Sequence, residues 1–151
     1  MSQRLNPYIT LPAIVPAMGQ LQKLSSESGL DPKLKELAML RASQINGCVF
    51  CLDLHTRRAQ KLGESLDRLM LLTAWREATV YSDREKAAFA WTEALTDLAH
   101  QPVSDEAYAA ALKHFEPKEL VSLTVSIATI NAWNRINGAF AVSPGALGNI
   151  V

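Results

Sequence analysis

DPKLKELAMLRASQINGCVFCLDLHTRRAQKLG, Asp31 to Gly63, contains two helices and the turn between them. Asp31 followed by Pro32 is an N-cap and a first helical position where a missing N–H costs nothing. The apolar pattern then continues to about Asn46, and Gly47 stops it. A new helix is expected from about Cys48 to Leu62, with Asp53 near its start and Arg57, Arg58 and Lys61 near its end. That charge order suits the helix dipole, and Gly63 closes the element.

Outward from this pair, helices are expected from about Ala13 to Ser28, Ser65 to Thr79, and Ser82-Asp83 to Ala99. The last of these has Glu85 three positions beyond its cap, as in a capping box. Ser104 with Glu106 opens another helix, and Pro117 starts one that reaches about Ala139 and ends near Pro144. Valine and isoleucine lie within helical patterns, and no Asn-Gly or Asp-Gly hairpin turn separates alternating segments. The sequence therefore predicts an all-α antiparallel bundle of about six to seven helices with short connections. No linker or repeat divides it, so residues 1–151 are expected to form a single domain.

Composition narrows the function. Fifteen basic residues balance fifteen acidic ones in a chain that is 48% hydrophobic and 20% charged, so neither nucleic acid nor an anionic membrane is an expected partner. The proline-broken N-terminus lacks an export signal, and the most apolar run, Leu120 to Trp133, is too short and too interrupted to span a bilayer. A cytoplasmic location is expected, where thiols stay reduced and a close cysteine pair is more often reactive or metal-binding than a structural disulfide. The long final helix and the apolar stretch Tyr8 to Met18 exceed what a small bundle must hide, which predicts association of identical subunits.

The chain's two cysteines and His55 are the chemical candidates. Cys48, Cys51 and His55 stand at i, i+3 and i+7, within about 60° of one another on a helix surface. A helix start favours thiolate, and an imidazole one turn on can take the proton. An attacking thiol oxidised to a sulfenic acid can be resolved by the second thiol. Cys51, nearer His55, is expected to attack; Cys48, at a helix end expected to be exposed, is expected to resolve and later to meet a reductant. If the chain reverses at Asn46 and Gly47, counting back about 1.5 Å per residue sets Glu36 level with roughly residues 55 to 58, facing His55. A Glu-His-Cys relay follows. From the residues alone, two alternatives stay open: thiols that merely fill the core, and zinc held by Cys48, Cys51, His55 and Glu36.

Glu36, Cys48-x-x-Cys51 and x-x-x-His55 together resemble the signature of the alkylhydroperoxidase D-like branch of the carboxymuconolactone decarboxylase superfamily. LKELAMLRASQINGCVFCLDLHTRRAQKLGES and YSDREKAAFAWTEALT resemble its core, over about residues 20 to 105, and INAWNRIN is more weakly similar. The resemblance implies an all-helical fold, homotrimers or homohexamers, and reduction of alkyl hydroperoxides by a cycling Cys48–Cys51 disulfide. Glu36, Cys48, Cys51 and His55 carry over as relay and redox pair, with no cofactor and no metal. The electron donor would be a thiol or dithiol reductant that the sequence does not identify. Phe50 stands where the best-known peroxidase members have a second histidine, so their lipoyl-linked reductant is not implied. A thiol-disulfide oxidoreductase without a peroxide substrate is the alternative within this chemistry, and a zinc-stabilised or structural helical oligomer the alternative outside it. Lactone decarboxylation is disfavoured because redox cysteines have no part in it.

Other polar and aromatic groups are given structural roles. Trp75, Trp91, Trp133, Phe89 and Phe140 are expected in the core, at a subunit contact or along the thiol pocket. His100 and His114 are read as surface residues, and Arg57 and Arg58 as a solvated face. Asn131, Asn134 and Arg135 cluster on the last helix and need partners, across a subunit interface or near the site, with the interface given more weight.

Overall fold

The computed structural model describes residues 4–27 and 29–145. Their elements are α1 (Pro7–Thr10), α2 (Ile14–Ser26), α3 (Pro32–Asn46), α4 (Val49–Lys61), α5 (Leu66–Leu71), a 3₁₀ turn (Leu72–Ala74), α6 (Asp83–Thr96), α7 (Asp105–Leu112) and α8 (Pro117–Ala139). The described residues contain no strand, and the fold is all-α as expected. The eighth helix is α1, a single turn that the sequence reading passed over. Its signal is local: the Asn6 side chain accepts from the N–H groups of Tyr8 and Ile9, and Pro7 stands at the first helical position.

Predicted caps explain most boundaries. Asp31 accepts from the Lys33 N–H at the start of α3, Ser104 caps α7, and Ser82 with Glu85 forms the reciprocal box at α6. The last residue expected in the first predicted helix, Ser28, lies outside the described residues. The helix predicted to Thr79 is a correction, since α5 ends at Leu71 and tightens into the 3₁₀ turn. Leu69 in the last turn of α5, Leu72 at the start of the 3₁₀ turn and Trp75 just after it all enter the core, the tighter turn keeping residues three apart on one side. The helix predicted to Ala99 stops at Thr96, because Asp97 hooks the chain back by bonding His100 Nδ1 at 2.5 Å and Gln101 Nε2 at 3.3 Å.

Helix α3 is central and packs against α4, α6 and α8, while α2 lies along α8. One apolar cluster joins α3, α6, α7 and α8 around Leu34, Trp91, Phe115, Leu123 and Ile127. A second fills the space beside the 3₁₀ turn with Leu37, Leu72, Trp75, Tyr81 and Phe89. The third surrounds the cysteines with Met39, Ala42, Phe50, Ile130 and Val142, and Trp133 and Phe140 pack against it. Much of the apolar surface of α8 is thus consumed inside the chain, and Leu5, Ile9, Leu11, Val15, Leu21 and Leu24 are large apolar side chains left exposed near the N-terminus.

The α3–α4 hairpin is held by a Schellman motif. Gly47 takes φ +65°, its N–H donates to the Gln44 carbonyl at 3.3 Å, and the Cys48 N–H donates to the Ser43 carbonyl at 3.1 Å. A β-carbon at Gly47 would meet no atom, so glycine is required there by backbone conformation and not by space.

Candidate functional site

The turn at Gly47 delivers Cys48 as the N-cap of α4. Its Sγ accepts from the Cys51 N–H at 3.3 Å, so the sulfur occupies the place an oxygen takes in an ordinary cap. Cys51 lies one turn in, and the two sulfurs are bonded as a disulfide with Cα atoms 5.3 Å apart. Both cysteines are buried, Cys48 at 4% exposure and Cys51 at 2%. The expectation that Cys48 sits exposed is therefore corrected. The chain after α8 folds over the end of α4, bringing Val142 into the same cluster.

One turn beyond Cys51 on the same face is His55, 2% exposed. Its Nδ1 lies 2.7 Å from Glu36 Oε2 on α3, at the level that counting back from the turn predicted. In the tautomer that donates Nδ1–H to the carboxylate, this contact fixes the ring and Nε2 carries a lone pair that can accept a proton. Glu36 is itself buried, at 7% exposure. The structure thus brings all four predicted residues together. Among the described residues no group of three His, Cys, Asp or Glu side chains is arranged to hold a metal ion.

Two openings reach this centre. A cavity of about 300 Å³ beside the thiols is lined by Cys48, Phe50, Asn137, Val142 and Pro144, among others. A second cleft of similar volume is lined by Glu36 and Met39 with Lys23, Lys35, Arg58 and Ser26. Lys35 donates to Ser26 Oγ at 2.7 Å. Burial pulls its pKa down, Glu36 opposes that fall and Arg58 adds to it, leaving it below the ordinary lysine value. Arg58 borders this cleft, so it is more than the solvated residue expected; Arg57 pairs with Asp53 at 2.8 Å.

Of the two placements open to the polar residues of α8, the structure gives Asn131 and Asn134 the one inside the chain, where the more heavily weighted interface had been expected. Asn46 Nδ2 donates to Asn131 Oδ1 at 2.9 Å and to Asn134 Oδ1 at 2.8 Å, while Asn134 Nδ2 reaches Ser43 Oγ at 3.1 Å. Arg135 bonds back to the Asn131 carbonyl at 3.0 Å. These bonds fix α8 against the C-terminal end of α3, the end that carries the Cys48 turn. The interface was given more weight because a side chain's partner 85 or more positions away leaves no local trace. His100 is exposed, as read, and His114 half-buried.

Sequence reasoning missed Asn137 and Tyr8. Asn137 Nδ2 lies 3.5 Å from Cys51 Sγ, and its Oδ1 accepts from the Tyr8 hydroxyl at 2.5 Å. The available signal was the continuation of Asn131 and Asn134 to 137 at the same helical spacing on an apolar helix.

Comparison with known proteins is consistent with this geometry. Residues 12–94 match the sequence profile of the carboxymuconolactone decarboxylase family. The uncharacterized protein YdfG of Bacillus subtilis (strain 168) is 39% identical over 137 residues, covering 91% of this chain and 93% of its own. The uncharacterized protein YnjA of Escherichia coli (strain K12) is 31% identical over 116 residues, 76% of this chain and 63% of the relative. A solved structure from Agrobacterium tumefaciens superposes with a TM-score of 0.90 at 36% identity, covering 95% of this chain and 98% of the other. That protein is of unknown function, with a suggested role as the antioxidant defence protein AhpD.

Proposed function

Since the chain belongs to the alkylhydroperoxidase D-like branch of the carboxymuconolactone decarboxylase family, we propose that it is a thiol-dependent peroxidase that reduces alkyl hydroperoxides through Cys48 and Cys51. The observation that carries this reading is the Glu36–His55 bond of 2.7 Å, one turn from a cysteine pair at disulfide distance. In the reduced protein, His55 Nε2 takes the Cys51 proton while Glu36 balances the imidazolium. The thiolate attacks the distal peroxide oxygen, the O–O bond breaks, and the imidazolium returns its proton to the leaving alkoxide. The products are an alcohol and a Cys51 sulfenic acid.

Cys48 then attacks the Cys51 sulfur. The S–OH bond breaks, the hydroxyl leaves as water with the Cys48 proton, and the disulfide forms. Two electrons pass from two thiols to one peroxide, and a thiol or dithiol reductant restores them by exchange. Cys48 borders the cavity beside the thiols and is the sulfur such a reductant would meet. No cofactor or metal is required. The residues act within a single domain spanning 1–151, in a cytoplasmic homotrimer or homohexamer whose contacts would cover the exposed apolar side chains of α1 and α2. Among the described residues no helix is long and apolar enough to cross a membrane.

Thiol titration of the reduced protein before and after one equivalent of cumene hydroperoxide tests the reading, with metal analysis on the same sample. Loss of both thiols, release of cumyl alcohol and an intrachain Cys48–Cys51 bond are expected. Thiols that ignore the peroxide yet exchange with small disulfides would leave an oxidoreductase without a peroxide substrate. Bound zinc with unreactive thiols would overturn both.

A further inference from the structure

We propose that Asn137 is a catalytic residue of this site: its side-chain amide donates to the Cys51 sulfur, and Tyr8 is the positioning residue that turns the donor end of that amide toward it. The choice of Cys51 as the attacking thiol rests on the peroxidase reading; the bond itself does not. Asn137 lies in the last turn of α8 at 3% exposure, with Nδ2 3.5 Å from Cys51 Sγ. An amide has an accepting end and a donating end. If it were reversed, Oδ1 would face the sulfur and repel a thiolate. The Tyr8 hydroxyl prevents that reversal by donating to Oδ1 at 2.5 Å. Burial raises the Tyr8 pKa against the lowering effect of its Asn137 bond, so the phenol keeps its proton through neutral pH and remains a donor.

The residues around Tyr8 hold it in place. Its ring packs against Phe50 and Trp133, with centroids 6.3 and 6.0 Å away. Asn6 caps α1, and the chain before α1 is latched to the end of α8. The Arg4 N–H donates to the Phe140 carbonyl at 3.0 Å, and the Arg4 guanidinium donates to the Ala139 carbonyl at 2.7 Å. Tyr8 and Asn137 are separated by 129 positions but ride on one assembly.

The two sulfurs therefore differ in what stabilises their charge. Cys48 has the start of α4 and a backbone N–H. Cys51 sits among Met39, Ala42, Phe50, Ile130 and Val142, where one directed donor counts for more than it would in water. The titratable groups placed about it are Cys48 at the cap of α4, His55 one turn on, Glu36 of α3 bonded to the imidazole, and Tyr8 on α1; α8 reaches the sulfur with the neutral amide of Asn137.

The test uses the full chain in a Cys48→Ser background, leaving one thiol, and follows thiolate absorbance near 240 nm against pH. Asn137→Ala should raise the Cys51 midpoint by about one to two pH units, the weight of a hydrogen bond to a charged group. Asn137→Asp should raise it further by placing a carboxylate beside the sulfur. Tyr8→Phe should raise it by a smaller amount, because the amide stays but loses its orientation. An unmoved midpoint in folded Asn137→Ala overturns the proposal. Should that variant fail to fold, an unmoved midpoint in Tyr8→Phe, which deletes one oxygen, does the same. A raised midpoint, in a protein that consumes no peroxide when both cysteines are present and reduced, would uphold the donor role while removing the peroxidase reading.

Discussion

The two halves of the α4 stripe share one helix face and face unlike surroundings. At its start, Cys48 and Cys51 lie in an apolar cluster with one side-chain donor, Asn137. One turn further, His55 is bonded to Glu36, which borders a cleft rimmed by Lys23, Lys35, Arg58 and Ser26. The difference matches two needs of the proposed chemistry. A thiolate attacking a peroxide reacts best where water is scarce and its charge is met by fixed dipoles. A carboxylate that helps an imidazole lose and regain protons needs a polar path to solvent. A single helix meets both needs because successive turns contact different neighbours, α8 and the chain after it at the sulfurs, α3 at the imidazole.

Removing the sulfur half should have the largest effect. Cys51→Ser should abolish peroxide consumption, a fall of several orders of magnitude, because the remaining relay has no nucleophile to serve. Cys48→Ser should keep a single turnover and lose only the disulfide. Stopped-flow kinetics with cumene hydroperoxide and mass spectrometry of the sulfenic acid distinguish the two, and the reverse pattern would exchange the roles of the thiols.

Acting on the other half, Glu36→Gln keeps an acceptor for His55 Nδ1 but removes the charge. About a hundredfold loss in the rate of peroxide reduction is expected, with little change in melting temperature. An unchanged rate would confine the chemistry to the sulfurs and make Glu36–His55 a structural pair.

Asn46→Ala touches neither half directly. It strips the donor that joins Asn131 and Asn134 to the end of α3 and should cost about 1 kcal/mol, a few degrees in melting temperature, with a smaller loss of activity. A loss of activity larger than the loss of stability would show that this clamp sets the position of the Cys48 turn.

The smallest effect concerns charges far from the stripe. Burial alone would raise the Glu93 carboxyl, but bonds from Arg76, Trp75 and Arg41 hold it below its ordinary value of 4.5. Glu85 is held down in the same way by the Ser82 N–H and Arg68. A carboxyl whose pKa is lower in the folded state contributes stability above its ordinary value and loses it as pH falls through the folded one. The melting temperature should therefore begin to drop below about pH 4.5. Glu93→Gln should flatten that drop, with little change in the rate of a protein assayed at neutral pH.

Much of the fold was legible because the signals are local. Asp31-Pro32, Gly47, Ser82 with Glu85, and Pro117 act within a few residues of where they stand, and the structure starts or stops helices at each. Boundaries failed where the helix period itself changed, at Leu72–Ala74, or where a side chain bent the chain, at Asp97. The α1 turn was missed although Asn6-Pro7 is a cap and a first helical residue, because four residues show no apolar period.

For the site, the sequence by itself determined the stripe and its acid. The stripe follows from i, i+3, i+7 spacing, and Glu36 from its distance along a hairpin closed at Gly47, where rise per residue converts position into height. Only the tertiary structure decided that Cys48 is covered, that Asn131 and Asn134 turn inward, and that Asn137 and Tyr8 meet at Cys51. Helical periodicity gives the direction of a side chain relative to its own axis. It does not give the distance and angle at which another helix crosses, and Asn137 reaches Cys51 across 86 positions of chain only because α8 and α4 pack as they do.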